Sequence, residues 1–120
     1  MQLDKILQSQ GFGSRKYCRQ LIESGNVASG DSSGNLETCT HFKTNVSTQD
    51  LQLMVLGERW VYREKVYIAL NKPQGYECSH HPQHHHSVFS LLPEQLIERG
   101  IQCVGRLDQD TTGLLLLSDD

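Results

Sequence analysis

The chain has 120 residues, of which 37% are hydrophobic and 7% aromatic, with a mean hydropathy of −0.47; that length holds one ordinary domain or two small ones, and the composition suits a soluble chain with modest cores. A formal net charge of −3, taken whole, argues against a nucleic-acid partner. No apolar stretch approaches the roughly 20 residues of a membrane span, and the opening Met1-Gln2-Leu3-Asp4-Lys5 lacks the basic-then-apolar pattern of a secretion signal.

The distribution of charge changes the inference. Residues 1–30 carry Lys5, Arg15, Lys16 and Arg19 against Asp4 and Glu23, a local balance of +2, whereas the remainder sums to −5. Such asymmetry places one basic surface on an otherwise acidic body. Cys18, Cys39, Cys78 and Cys103 are scattered with no C-x-x-C pair. That spacing predicts neither a disulfide framework nor a zinc knuckle, and a reducing, cytoplasmic location.

Leu3, Ile6, Leu7 and Gln10 fall at helical spacing, predicting a helix over 2–10 that Gly11-Phe12-Gly13 ends. Ser14 is suited to cap a second helix from Arg15 to about Ser24, with Cys18, Leu21 and Ile22 as its buried stripe and Gly25 as its C-terminal stop. Arg15 and Arg19 stand four apart and so share one face with Lys16 nearby. That face suits a phosphate backbone, although a solvated helix surface has the same composition. Leu51, Leu53 and Val55 alternate within Val46–Leu56, predicting a strand that closes a first module. Gly57-Glu58-Arg59 reads as a turn, and Trp60, Val61 and Tyr62 fall near the expected linker. Ordinary hydrophobic filling is favoured there over a base-stacking platform.

Val66–Leu70 is rich in β-branched and aromatic residues and predicts a strand, ended by a turn through Asn71-Lys72-Pro73-Gln74-Gly75-Tyr76. His80, His81, His84, His85 and His86 raise the question of a metal site. The segment has loop composition, contains Pro82 and lacks a spacing that would converge three ligands, so no metal is expected. Ser87–Leu96 predicts a short helical turn at Val88–Leu92 that Pro93 breaks or restarts. Gly105-Arg106-Leu107-Asp108-Gln109-Asp110-Thr111-Thr112-Gly113 then precedes Leu114-Leu115-Leu116-Leu117, a short run that reads as a strand buried on both faces. A carboxylate on a loop held by such a strand is well placed for chemistry. On the residues alone, Asp108 could equally cap a turn and pair with Arg106.

Two resemblances bear on these alternatives. Leu3-Asp4-Lys5-Ile6-Leu7, Gly13-Ser14-Arg15-Lys16 and Leu21–Val27 together resemble the alpha-L RNA-binding module, named for the fourth protein of the small ribosomal subunit. The resemblance implies Lys5, Ser14, Arg15, Lys16 and Arg19 as RNA contacts; it departs after Val27, where the usual Val-Asn-Gly turn is replaced by Ala28–Asn35 and the preceding strand is shortened. Residues 66–120 resemble the pseudouridine synthases that act on ribosomal RNA, through Leu70–Tyr76 with Cys78-Ser79 and through Gly105-Arg106-Leu107-Asp108 with Thr111-Thr112-Gly113. The Gln-Gly-Tyr variant with Cys78-Ser79 is most similar to the small-subunit rRNA enzymes.

The resemblance implies an α+β chain: a small helix-turn-helix-plus-strands RNA-binding module over 1–60, then the first part of a mixed β-sheet catalytic domain over 61–120. It implies isomerisation of a specific uridine in ribosomal RNA, with Asp108 as nucleophile and no cofactor. It implies Arg106 as the residue that orients Asp108 or fills the gap left by the flipped base. Thr111, Thr112 and Gly113 would shape the active-site loop. The family continues past the position of Asp120, so the 120-residue chain is expected to be an inactive N-terminal part of a longer enzyme. It would act as a monomer on free rRNA or an assembling subunit, without a membrane. The alternative is a non-catalytic RNA-binding protein that keeps the motif as scaffold.

Overall fold

The structure, a computed structural model, describes residues 1–83 and 85–120. Helices and strands follow one another without a βαβ rhythm, so the chain is α+β, as expected. It divides into two compact units, Met1–Glu64 and Lys65–Asp120.

The first unit opens with helices α1 (Leu3–Ser9) and α2 (Arg15–Glu23). Ser14 caps α2 as predicted, its hydroxyl oxygen accepting from the Tyr17 amide at 3.1 Å. Cys18, Leu21 and Ile22 are buried, and Gly25 takes φ +81° after the helix ends. Strands β1 (Val27–Gly30), β2 (Leu36–Thr38), β3 (Gln52–Val55) and β4 (Glu58–Val61) form an antiparallel sheet in the order β2-β1-β3-β4. Leu51, Leu53 and Val55 point into a core with Leu3, Ile6, Leu7 and Val27. The predicted strand over Val46–Leu56 is thus shorter in fact. Val46 instead exchanges main-chain bonds with Met1, its amide donating at 2.9 Å.

The turn before β4 falls at Leu56 and Gly57, with φ of +52° and +82°, so Glu58 and Arg59 belong to the strand rather than to the turn. Trp60 packs on the first core, edge-on to Phe12 with ring centroids 5.4 Å apart, and its indole N–H donates to Gln10 Oε1 at 3.2 Å. It is core filling of the first unit, not linker.

In the second unit, β5 (Tyr67–Lys72), β9 (Gly113–Ser118) and β8 (Gln102–Cys103) form an antiparallel sheet in the order β5-β9-β8. Among the described residues, parallel pairing is confined to β6 (Tyr76–Glu77) and β7 (His86–Ser87). A 3-10 turn (Val88–Leu91) and the short helix α3 (Glu94–Glu98) lie between β7 and β8. Pro93 is the residue before α3, not its first helical position.

The leucine run departs from expectation. Leu115 and Leu117 are buried with Val88, Phe89 and Ile101, but Leu114 and Leu116 are 69% and 50% exposed. Within this unit β9 is therefore buried on one face. Near its end, the Arg99 guanidinium, 2% exposed, holds Asp119 at 2.9 Å. Burial alone would raise the Asp119 carboxyl, but donation from the Val66 amide and Arg99 holds it below the ordinary aspartate value.

Candidate functional site

Antiparallel pairing of Asn71 with Leu114 and Lys72 with Gly113 brings the end of β5 to the start of β9. The two motif segments therefore leave the sheet side by side. The Gly75 amide donates to the Gln109 carbonyl, and Gly75 adopts φ +91° to reach it. Lys72, 1% exposed, is the deeper tie. Its Nζ donates to the carbonyls of Pro73 at 3.1 Å, Gln109 at 3.4 Å and Thr111 at 2.8 Å. Three acceptors satisfy the three donors a lysine brings, which is what allows it to be buried. The sequence pattern alone assigns Lys72 no role. Its signal was a lysine at the inner end of an apolar strand, immediately before a proline.

Asp108 stands on the loop so held. Its carbonyl accepts from the Thr111 amide at 3.0 Å, closing a turn, but its exposed carboxylate takes part in no hydrogen bond or ion pair among the described residues. It borders an open cavity of about 430 Å³ that Glu77, Cys78, Ser79, Arg106 and Gln109 also line. Arg106 does not pair with it; the guanidinium instead donates to the Cys78 carbonyl at 3.3 Å. Cys78 Sγ meets the Leu107 carbonyl at 3.5 Å, so the Cys78-Ser79 segment and the Asp108 loop are joined from both directions. Thr111 contributes its carbonyl to the Lys72 tie, and Gly113, at φ +142°, begins β9. Thr112 is exposed between them. Among the described residues no group of three His, Cys, Asp or Glu side chains could hold a metal ion; His84, part of the histidine run, lies outside the described residues.

The basic face of α2 is organised by an acid that the sequence reading did not single out. Asp4 is fully buried, and its Oδ2 accepts from Arg15 Nε at 3.0 Å and Arg19 Nε at 2.9 Å, while Oδ1 accepts from the Lys5 amide at 2.8 Å. Burial would raise the Asp4 carboxyl; the Arg19 and Arg15 bonds and the Lys5 amide outweigh it and hold it below the ordinary value. Burial, with the neighbouring Asp4 charge, pushes the Cys18 thiol up to about 11. Arg19 also lies over the Phe42 ring, 4.5 Å from its centroid. Lys5 and Lys16 are exposed and make no ion pair among the described residues. Ser14, by contrast, is occupied in capping.

Residues 66–120, the segment that carries Lys72, Arg106 and Asp108, match the family model described as RNA pseudouridylate synthase. That segment, the second unit, thus carries the likeness to the family. Its relatives align beyond the matched segment. The uncharacterized RNA pseudouridine synthase YtzG of Bacillus subtilis is 33% identical over all of this chain and 48% of its own length. Ribosomal small subunit pseudouridine synthase A of Vibrio vulnificus is 36% identical, again over the whole chain and 48% of that protein. A putative chloroplastic ribosomal large subunit pseudouridine synthase, SVR1 of Arabidopsis thaliana, is 34% identical over 98% of the chain and 30% of its own length. The chain thus spans about half the length of these bacterial pseudouridine synthases, and the basic first unit is included in the similarity. No helix among the described residues is long and apolar enough to cross a membrane.

Proposed function

We propose that this chain provides the RNA-recognition module and the nucleophile-bearing segment of an enzyme that isomerises a uridine of ribosomal RNA, with the small-subunit RNA as its substrate. The observation that carries the reading is Asp108: a carboxylate with no hydrogen-bond or ion-pair partner among the described residues, on a loop tied down by a buried lysine, bordering a cavity. A carboxylate can form and release a covalent adduct while the bond from uracil N1 to the ribose breaks, uracil C5 bonds to the same ribose carbon, C5 gives up its hydrogen and N1 takes up a proton. Nothing is oxidised or reduced, so no cofactor is required. The target base must leave its stack, a step costing on the order of a few kcal/mol. Arg106, two residues before Asp108 on the same loop, would occupy the vacated position. Arg15, Lys16, Arg19 and Lys5 would hold the phosphates of the surrounding RNA.

Because the chain spans half of its relatives, turnover is assigned to the protein extended to their length, and the 120-residue chain alone is expected to bind RNA without converting it. In the extended protein, Asp108→Asn should lower tritium release from uridine-labelled ribosomal RNA by roughly 10³-fold or more. RNA affinity and melting temperature should stay unchanged, since the carboxylate makes no hydrogen bond or ion pair among the described residues. Turnover that survives the substitution would rule out Asp108 as nucleophile. Tight RNA binding without turnover in either form would favour the binding-module alternative.

A further inference from the structure

We propose that the first unit holds a second RNA-contact site beside the helix face, the cleft formed by Glu23, Thr40, His41, Phe42 and Lys43, and that it receives an unpaired nucleotide. The proposal rests on the RNA-binding reading of α2 and names what that surface recognises.

The segment around Phe42 is far from α2 in sequence but is fixed to the same helical pair. The Leu3 amide donates to the Thr44 carbonyl at 2.9 Å and the Asp4 amide to the Phe42 carbonyl at 3.3 Å. Thr44 closes a turn onto the His41 carbonyl at 3.1 Å. The cleft is therefore built on the main chain that carries Asp4, the residue that holds Arg15 and Arg19. Phe42 joins the two features. Its half-buried ring packs on the first core, supports the Arg19 guanidinium and lines the cleft. Arg19 directs its Nε to Asp4, and its Nη groups have no partner among the described residues. They remain available to an acceptor from outside, on a side chain that is 40% exposed.

The cleft measures about 440 Å³, within the roughly 300–1,000 Å³ of sites that hold one small molecule. Its chemistry is mixed in a way that a phosphate track is not. Lys43, and Arg19 over the Phe42 ring, suit a phosphate, and the Phe42 ring with its stacked guanidinium suits a base plane. Glu23, one helical turn beyond Arg19, would repel a phosphate but accepts hydrogen bonds from an amino group on a base edge. Aromatic rings and guanidinium planes recognise RNA bases once these are unstacked, and the paired bases of an A-form helix are closed to them. Cation, aromatic surface and acceptor together therefore select a nucleotide in a bulge, loop or single strand.

The test is binding of the 120-residue chain, by fluorescence anisotropy, to an RNA hairpin with a single-nucleotide bulge and to the same hairpin without it. Phe42→Leu and Lys43→Ala should each weaken binding to the bulged hairpin by roughly five- to tenfold, the scale of one lost base–aromatic contact, and change binding to the plain hairpin by less than about twofold. If Phe42→Leu fails to fold, Lys43→Ala, which alters an exposed side chain, carries the test. Equal losses on both hairpins, or no loss on either, would overturn the nucleotide site. The basic-face reading fails separately if Arg15→Ala with Lys16→Ala leaves affinity for both hairpins as in the parent chain.

Discussion

Asp4 and Asp108 are the same residue type in opposite situations. Asp4 is fully buried with three donors on its two oxygens; Asp108 is exposed, with none among the described residues. The first is committed to geometry; under the proposed function, the second is left open to react. Asp4→Asn removes the charge that both guanidinium groups share, and it should lower the stability of the first unit by about 2 kcal/mol, the scale of hydrogen bonds to charged groups. It should also flatten the salt dependence of RNA binding, because Arg15 and Arg19 lose their common anchor. Thermal melts and a salt titration check the two effects. The pH dependence has a definite sign. The folded-state carboxyl lies below its ordinary value of 3.8, so the Asp4 contribution is fully present above that value and is lost as pH falls through and below it. Acid melts of Asp4→Asn should therefore lack part of the parent chain's decline in that window.

Strand β9 shows what periodicity conveys and what it leaves out. Four consecutive leucines have no alternation, which predicts burial on both faces; the register with β5 and β8 imposes alternation on the run all the same. Leu115→Ala and Leu117→Ala should each cost about 3 kcal/mol as core truncations. Leu114→Ala and Leu116→Ala should stay within about 0.5 kcal/mol, and chemical denaturation of the four variants separates the faces. Elements with a strong local cause were legible: α2 from its serine cap and apolar stripe, β5 from its β-branched residues, the turn at Gly75 from the need for positive φ. Features set by distant partners were not. The strand at Glu58 depended on pairing with Val55, and Asp4 acquired its role only when α2 brought two arginines across it. The candidate site divided in the same way. Asp108 stood out by motif, whereas Lys72 needed the crossing of two segments 37 residues apart.

At the scale of the whole molecule, the two units keep separate cores. The first has ten buried residues drawn from both helices, β1, β3 and the residue before β3, and a four-stranded sheet closed over them. Residues 1–64 expressed alone should therefore fold and melt in one cooperative transition, and should retain the RNA affinity of the longer chain. Circular dichroism and anisotropy on that segment test this, and a segment that stays unfolded would show that its core is insufficient by itself. In the second unit, the Lys72 tie has a consequence for sequence change. It reaches Pro73, Gln109 and Thr111 through their carbonyls, and every amino acid carries that acceptor. If the proposed function holds, the side chains along this stretch can drift toward a new RNA target while the lysine keeps the aspartate in place, so adaptation of specificity and preservation of chemistry need not compete for the same atoms.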